Sequence, residues 1–381
     1  MKIRLIHIIV LFLLCPEVTP QEVRDTIVFR GQIPLWLNIN PKAEFPVMTG
    51  VRYIPELSYT RFLREDRQID FEASANFMNT FAFNPFDTGT GDMLLKPYRV
   101  WARYSGRQME IRAGLQKINF GSASMLRPLM WFDSMDPRDP LQLTDGVWGI
   151  LGRYYFLNNA NLWIWGLWGN EQPKTWEIGR TSQAYPELGG RLQYPVPRGE
   201  IALSTHYRVA DTRKTGFGVT PYAMVPEYRI GFDGKWDIGP GVWIEGSLIA
   251  RSKPIGPMSN QVILNTGADY TLGIGNGITL MAEHFVYAWG EQLDRHLGGM
   301  HFTGTTLSYP LGLSDHLSCM FFMQWDDPKL YSFITWKKQL NKIALYAMLY
   351  WNPSEYNLPQ MGNGADYYSG QGIQFMVVFH H

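Results

Sequence analysis

Two sets of ionisable residues recur at regular spacing. One is basic: Arg99, Arg103, Arg112, Arg153, Arg191, Arg208 and Arg229. The other is acidic: Asp70, Glu72, Glu110, Glu187, Glu200, Glu227, Glu245 and Glu283. Guanidinium and carboxylate groups on opposite sides of one aqueous space create a transverse field, which favours anionic or polar solutes. The same residues could pair and fill an interior, because structural ion-pair networks are common. A third set lies in one stretch, Ile118–Asp145. There Arg127, Asp133, Asp136, Arg138 and Asp139 alternate with Met125, Leu126, Leu129, Met130, Trp131, Phe132 and Met135.

Covalent and metal chemistry find little support. His206, His284, His296, His301 and His316 do not show H-E-x-x-H spacing. Ser204 and His206 share a strand face, but no G-x-S-x-G surrounds the serine. No glycine motif for phosphate is present, and Gly114, Gly231 and Gly267 fit strand curvature or close packing. The expectation is a chain without enzymatic activity, without a cofactor and without a metal site.

The elements that carry these residues have period two. In Met224–Ile238, Glu227, Arg229, Gly231, Asp233 and Lys235 alternate with Tyr228, Ile230, Phe232, Gly234 and Trp236. Met109–Lys117, Glu200–Val209 and Gln261–Leu272 alternate in the same way. That is a strand pattern, not a helical one. The segments run longer than the five or six residues usual in soluble sheets and match tilted membrane strands. Aromatics stand at segment ends: Tyr59, Trp168, Tyr194, Trp236, Trp325 and Trp351. Interfacial girdles have this form.

Composition agrees. Lys and Arg number 34, Asp and Glu 34, so the formal net charge is zero. A neutral chain with 45% hydrophobic and 18% charged residues is neither a disordered segment nor a basic nucleic-acid binder. Its mean hydropathy of -0.18 is too polar for a helical membrane protein. Alternating strands explain it, because the two faces cancel.

The first residues are a targeting signal by their pattern. Lys2 and Arg4 precede an apolar core from Leu5 to Leu14, too short to span a bilayer as a helix. Cleavage near Gln21 would leave 22–381 as one barrel domain. Cys15 before the cut raises a lipoprotein alternative, but Leu14 is large for such a site. Cys319 would then stand alone, a small apolar strand residue rather than half of a disulfide.

Connections alternate in length. Leu63–Gln68, Ser105–Arg107, Leu157–Ala160, Pro197–Gly199, Gly239–Gly241, Gly273–Gly277, Leu311–Asp315 and Gln339–Asn341 read as tight turns. Asn40–Gly50, Phe83–Asp92, Ile118–Asp145, Glu171–Ala184, Ala210–Ala223, Pro254–Asn260, Gly290–Met300 and Asn352–Ser369 read as longer loops, with Asp326–Pro328 a short exception. Bacterial barrels place short turns at the periplasmic end and long loops outside. The expected fold is all-β: a transmembrane antiparallel β-barrel of about 16–18 strands with both termini periplasmic. Ile118–Asp145 exceeds the length of ordinary loops. Its apolar content predicts that it folds inward onto the wall, bringing its charges near Arg99, Arg103, Arg112 and Arg153.

Arg112-Ala-Gly-Leu-Gln-Lys-Ile-Asn-Phe-Gly121, followed by Trp131–Pro140, resembles a segment of porin-like outer-membrane barrels of Gram-negative bacteria. Bacteroidota-type porins carry it, and alginate-export barrels more loosely. The last strand, Gly370–His381, resembles the C-terminal signal read by barrel-assembly machinery, with His380-His381 after the usual aromatic. The resemblance implies a barrel with a constricting third loop, surrounded by outer-membrane lipid. The reading is a passive channel for small polar or anionic solutes, with no nucleic-acid partner and with oligomers open to it. Its constriction is expected at Arg99, Arg103, Glu110, Arg112, Arg127, Asp133, Asp136, Arg138, Asp139 and Arg153. Two rivals are an exporter or surface organiser for acidic polysaccharide, and a closed barrel with an enzymatic or structural role.

Overall fold

A computed structural model describes residues 25–64, 66–216, 218–292, 298–354 and 365–381. The targeting segment with Cys15, and His296, lie outside the described residues. The chain forms β1 (Thr26–Ile39), β2 (Val47–Arg64), β3 (Arg67–Phe83), β4 (Gly89–Ser105), β5 (Met109–Gln116), β6 (Val147–Tyr155) and β7 (Asn161–Leu167). The two-residue β8 (Arg180–Thr181) precedes β9 (Glu187–Val196), β10 (Gly199–Asp211), β11 (Val225–Asp237), β12 (Gly241–Arg251) and β13 (Asn260–Leu272). Then come β14 (Ile278–Gly290), β15 (Gly298–Pro310), β16 (Asp315–Gln324), β17 (Lys329–Gln339), β18 (Ile343–Trp351) and β19 (Gln371–His380).

Apart from β8, which pairs with β10, each strand pairs antiparallel with the next, β7 with β9, and β1 closes on β19 through Pro34↔Val378 and Trp36↔Met376. Among the described residues, all strands but β8 form one closed wall of 18 strands. Closure satisfies every backbone group, which an open sheet in lipid could not do. Thr26 pairs with Thr60, near the turn that ends β2. His380 donates its N–H to Lys342 O at 2.8 Å. Both ends of the described barrel therefore lie at the short-turn end, as the alternation of connections implies.

Face assignments follow the period. Tyr228, Ile230 and Phe232 are 54%, 54% and 44% exposed on the outer wall, whereas Arg229 and Asp233 are 0% and 3% exposed inside. Phe375, Val377 and Phe379 of β19 also face outward, as do the rim aromatics Trp168, Tyr194, Trp325 and Trp351. An apolar belt this continuous has lipid as its solvent.

Two expected long loops are shorter than the sequence indicated. β2 already begins at Val47 and β4 at Gly89, so only 40–46 and 84–88 remain between strands. Polar Thr49, Thr90 and Asp92 masked these strand ends. They pair with Phe81, Ala82 and Thr80 beyond the apolar belt, where alternation no longer needs apolar residues.

Candidate functional site: the barrel lumen and its inward loop

The segment Ile118–Asp145 leaves β5, crosses the lumen and returns to β6. Met125, Leu126, Leu129, Met130, Trp131 and Phe132 are all buried. They pack with Ile249, Ile263, Phe285, Phe302 and Phe322, which point inward from β12 to β16. Burying these side chains inside the barrel stabilises the inward position, because each would otherwise expose apolar area to water. Gly231 makes room: a Cβ there would collide with Leu129 and Trp131.

The loop lacks regular secondary structure, so its buried N–H groups need acceptors. Two wall carboxylates supply them. Glu245 accepts from Ala123 N at 2.8 Å and Leu129 N at 2.7 Å. Glu283 accepts from Ser124, Met125 and Leu126 N at 2.6, 3.0 and 2.9 Å. Asn265 Nδ2 donates to Leu126 O at 2.7 Å, and Trp131 Nε1 to Ser247 Oγ at 3.0 Å. The sequence grouped Glu245 and Glu283 with the acids facing lumenal arginines. They instead hold the loop backbone. Inward parity was legible; the identity of their partners was not, because backbone donors leave no mark in a sequence.

The expected meeting of loop charges with wall arginines does not occur. Asp133 pairs with Arg127 Nη1 at 3.0 Å, inside the loop. Arg127 also donates to Asn119 Oδ1 and Phe120 O. Asp136 pairs with Arg138 at 2.7 Å, and the Arg138 guanidinium lies 4.9 Å from the Tyr368 ring centre. Asp139 accepts the N–H groups of Leu141 and Leu143; burial pushes its carboxyl up against those bonds. Arg99 alone reaches the loop, through Nη2 to Thr144 O at 2.8 Å. The other wall arginines meet wall acids. Arg103 binds Asp70 at 2.9 Å, while Arg112 and Arg153 lie 3.1 and 3.4 Å from Glu110. Short-range partners two residues or one strand away win over the distant loop, since Coulomb energy falls with separation.

A denser network fixes the second inward connection, residues 168–186. Its Glu177 lies 3.2 Å from Arg208 and 2.8 Å from Arg229. Both arginines also hold Glu227, which Arg251 approaches at 2.6 Å. Lys174 sits between Glu177 and Glu187, at 3.5 and 3.3 Å. Burial raises the Glu177 carboxyl, but Arg208, Lys174 and Arg229 outweigh it and hold the group below the usual range. Glu177 was not singled out from sequence, because it belongs to a loop with no strand parity to place it. Arg191 pairs with Asp233 at 2.9 Å and donates to Ser204 Oγ at 3.1 Å. His206 lies 3.2 Å from Glu187 and accepts from Trp165 Nε1. Ser204 and His206 are thus both committed to the interior network.

Water reaches the lumen unevenly. Inward residues of β10 to β12 are nearly all buried, whereas Arg52, Glu72, Arg103, Glu110, Arg112 and Arg153 on β2 to β6 are only partly so. A cavity of about 560 Å³ opens at the short-turn end, lined by Arg198, Glu200, Lys235, Asp237 and Asp269. His284 and His301 point out of the wall, as does Cys319.

The chain is thus a closed antiparallel β-barrel with an apolar outer belt, a charged interior and an inward loop packed against its wall. No family model matches the sequence, and no curated protein is similar to it. Among solved structures, the chain is similar to OccAB1 of Acinetobacter baumannii, with TM-score 0.57, 8% identity, and 96% and 99% of the two chains covered. It is also similar to OccK5 of Pseudomonas aeruginosa, with TM-score 0.56, 10% identity, and 94% and 97% covered. A third is OmpT, an outer-membrane protein of Vibrio cholerae, with TM-score 0.51, 10% identity, and 94% and 99% covered. At such identities the shared property is the fold.

Proposed function

We propose that this chain is an outer-membrane channel through which small polar solutes, anions among them, diffuse passively. It performs no enzymatic step and uses no cofactor. The observation that carries this reading is the uneven packing of the interior around the inward loop. Its apolar cluster takes in β6, β7 and β12 to β18, while the partly exposed charges Arg52, Glu72, Arg103, Glu110, Arg112 and Arg153 lie on β2 to β6. A narrow aqueous strip beside such a loop is what a selective passage requires. Delivery through the N-terminal signal, and insertion through the β19 strand by assembly machinery, belong to the same reading. So does a wall open to lipid or to further copies of the chain.

The test is conductance of the purified protein in planar bilayers. Discrete steps with ohmic current support the channel. Silence under all voltages transfers the case to a second reading, a closed barrel with a structural role. The packed interior of β12 to β16 favours that alternative. Polysaccharide export would want a more uniformly basic lumen than these paired charges provide.

A further inference from the structure

Among the described residues, the returning limb of the inward loop lies beside β1, β2, β3 and β19. There a cavity of about 200 Å³ lies between Asp139 and Leu141 of the loop and Arg52, Trp36 and Gln374 of the wall. Arg52 differs from the other lumenal arginines. Arg30 meets Glu56, Arg103 meets Asp70, Arg112 and Arg153 meet Glu110, and Arg191 meets Asp233. Arg208, Arg229 and Arg251 share Glu227, and Arg99 is bound to carbonyl oxygens. Among the described residues, Arg52 has neither a carboxylate nor a carbonyl partner. Its Nη2 touches Met78 Sδ at 2.9 Å, and its Nε is buried without an acceptor, as are those of Arg112, Arg153, Arg191 and Arg251.

Asp139 lines the same cavity and interacts electrostatically with Arg52 across it, but the two close no ion pair. Its carboxylate is already accepting the Leu141 and Leu143 N–H groups at 2.9 and 3.3 Å. A guanidinium carries five donors in a fixed fork. One left without acceptors beside an open cavity offers them to whatever enters. A paired arginine has its field cancelled by its neighbour. Arg52, faced by Asp139 only beyond ion-pair distance, keeps more of it, and low-dielectric walls focus it into the cavity.

We propose that Arg52 is the specificity-determining residue of the passage, contacting small anions in the cavity beside the loop and setting their preference over cations. This rests on the channel reading above. Reversal potentials across a KCl gradient near 0.1 M test it, where the screening length is about 10 Å. Arg52→Gln is expected to lower the chloride-to-potassium permeability ratio by roughly twofold or more. Arg52→Lys is expected to retain the ratio. Arg107→Gln, which removes an equal charge from the short turn against Asp66, is expected to leave it unchanged. In a Cys319→Ser background, Arg52→Cys gives a second handle. A cationic thiol reagent should raise the ratio and an anionic one lower it. An unchanged ratio in conducting Arg52→Gln channels, with no charge-dependent response at Cys-substituted position 52, overturns the inference while leaving the channel intact. A wild-type protein that never conducts overturns the channel reading, and this inference with it.

Discussion

At the scale of single residues, the lumen separates charges that hold structure from charges open to solvent. Among the described residues Glu283 has no ion-pair partner, yet three loop N–H groups depend on it. Glu283→Ala should strand those donors, at about 1–3 kcal/mol for each one that water cannot reach. Limited proteolysis should then cut within 118–145 faster than in the wild type, while the barrel itself stays resistant. Equal protection in both proteins would show that apolar packing alone holds the loop. Arg229 sits at the centre of the other network, between Glu177 and Glu227. Removing one partner of a buried pair costs about 3–5 kcal/mol, because the charges left behind are uncompensated. Arg229→Met should therefore lower the denaturant midpoint of the barrel, and Glu177→Gln in the same chain should recover part of the loss. No recovery in that double variant would mean the two residues act independently.

Strands and loops add a constraint that single residues lack, because a slip of one position exchanges lipid and lumen along a whole strand. On β11, Ile230 faces out and Lys235 faces the lumenal cavity at the short-turn end. Ile230→Arg should cost about 2–4 kcal/mol near the bilayer centre, measured as a shift in the urea unfolding midpoint in detergent or lipid. Cysteine at 235 should react with a membrane-impermeant thiol reagent, and cysteine at 230 should not. Asp233 is a poor reporter despite facing inward, since Arg191 and the surrounding wall bury it. Gly231 teaches the same lesson. Parity marks it as lumenal, which by itself predicts that Gly231→Arg acts mainly on the pore. The loop lies directly against it, so the larger side chain must displace Leu129 and Trp131 before it can influence a solute.

For the molecule as a whole, two inward connections divide the interior into a packed side and a wet side. Deleting Ser124–Pro140 removes the residues that span from Glu245 and Glu283 toward Tyr368. Single-channel conductance should rise severalfold and ion preference should weaken, because the returning limb beside Arg52 goes with the loop. Unaltered conductance would place the narrowest point elsewhere, at the 168–186 connection held by Arg208 and Arg229. The same whole-molecule view explains how a chain of zero formal charge can hold so many ions inside. The charges are arranged as local pairs, and desolvation is offset by partners a few ångströms away.

The sequence by itself determined the barrel, the face of nearly every strand, the closure logic of alternating turns and loops, and the inward destination of Ile118–Asp145. Each is a short-range or one-dimensional property. Period two sets the side on which a residue stands, loop length sets which end it joins, and apolar residues in a loop need a surface to cover. The order of the strands agrees with that reading. Only the tertiary structure decided who pairs with whom. Glu110 gathers Arg112 and Arg153 because neighbouring strands bring them together at one height. Glu245 and Glu283 serve backbone donors from a loop more than a hundred residues away in the chain. Arg52, unremarkable among the arginines of the sequence, becomes distinctive because, among the described residues, no carboxylate closes an ion pair with it. Pairing depends on angstrom-scale register and on where an irregular loop comes to rest. Those quantities emerge only when the wall has closed and the interior has been packed.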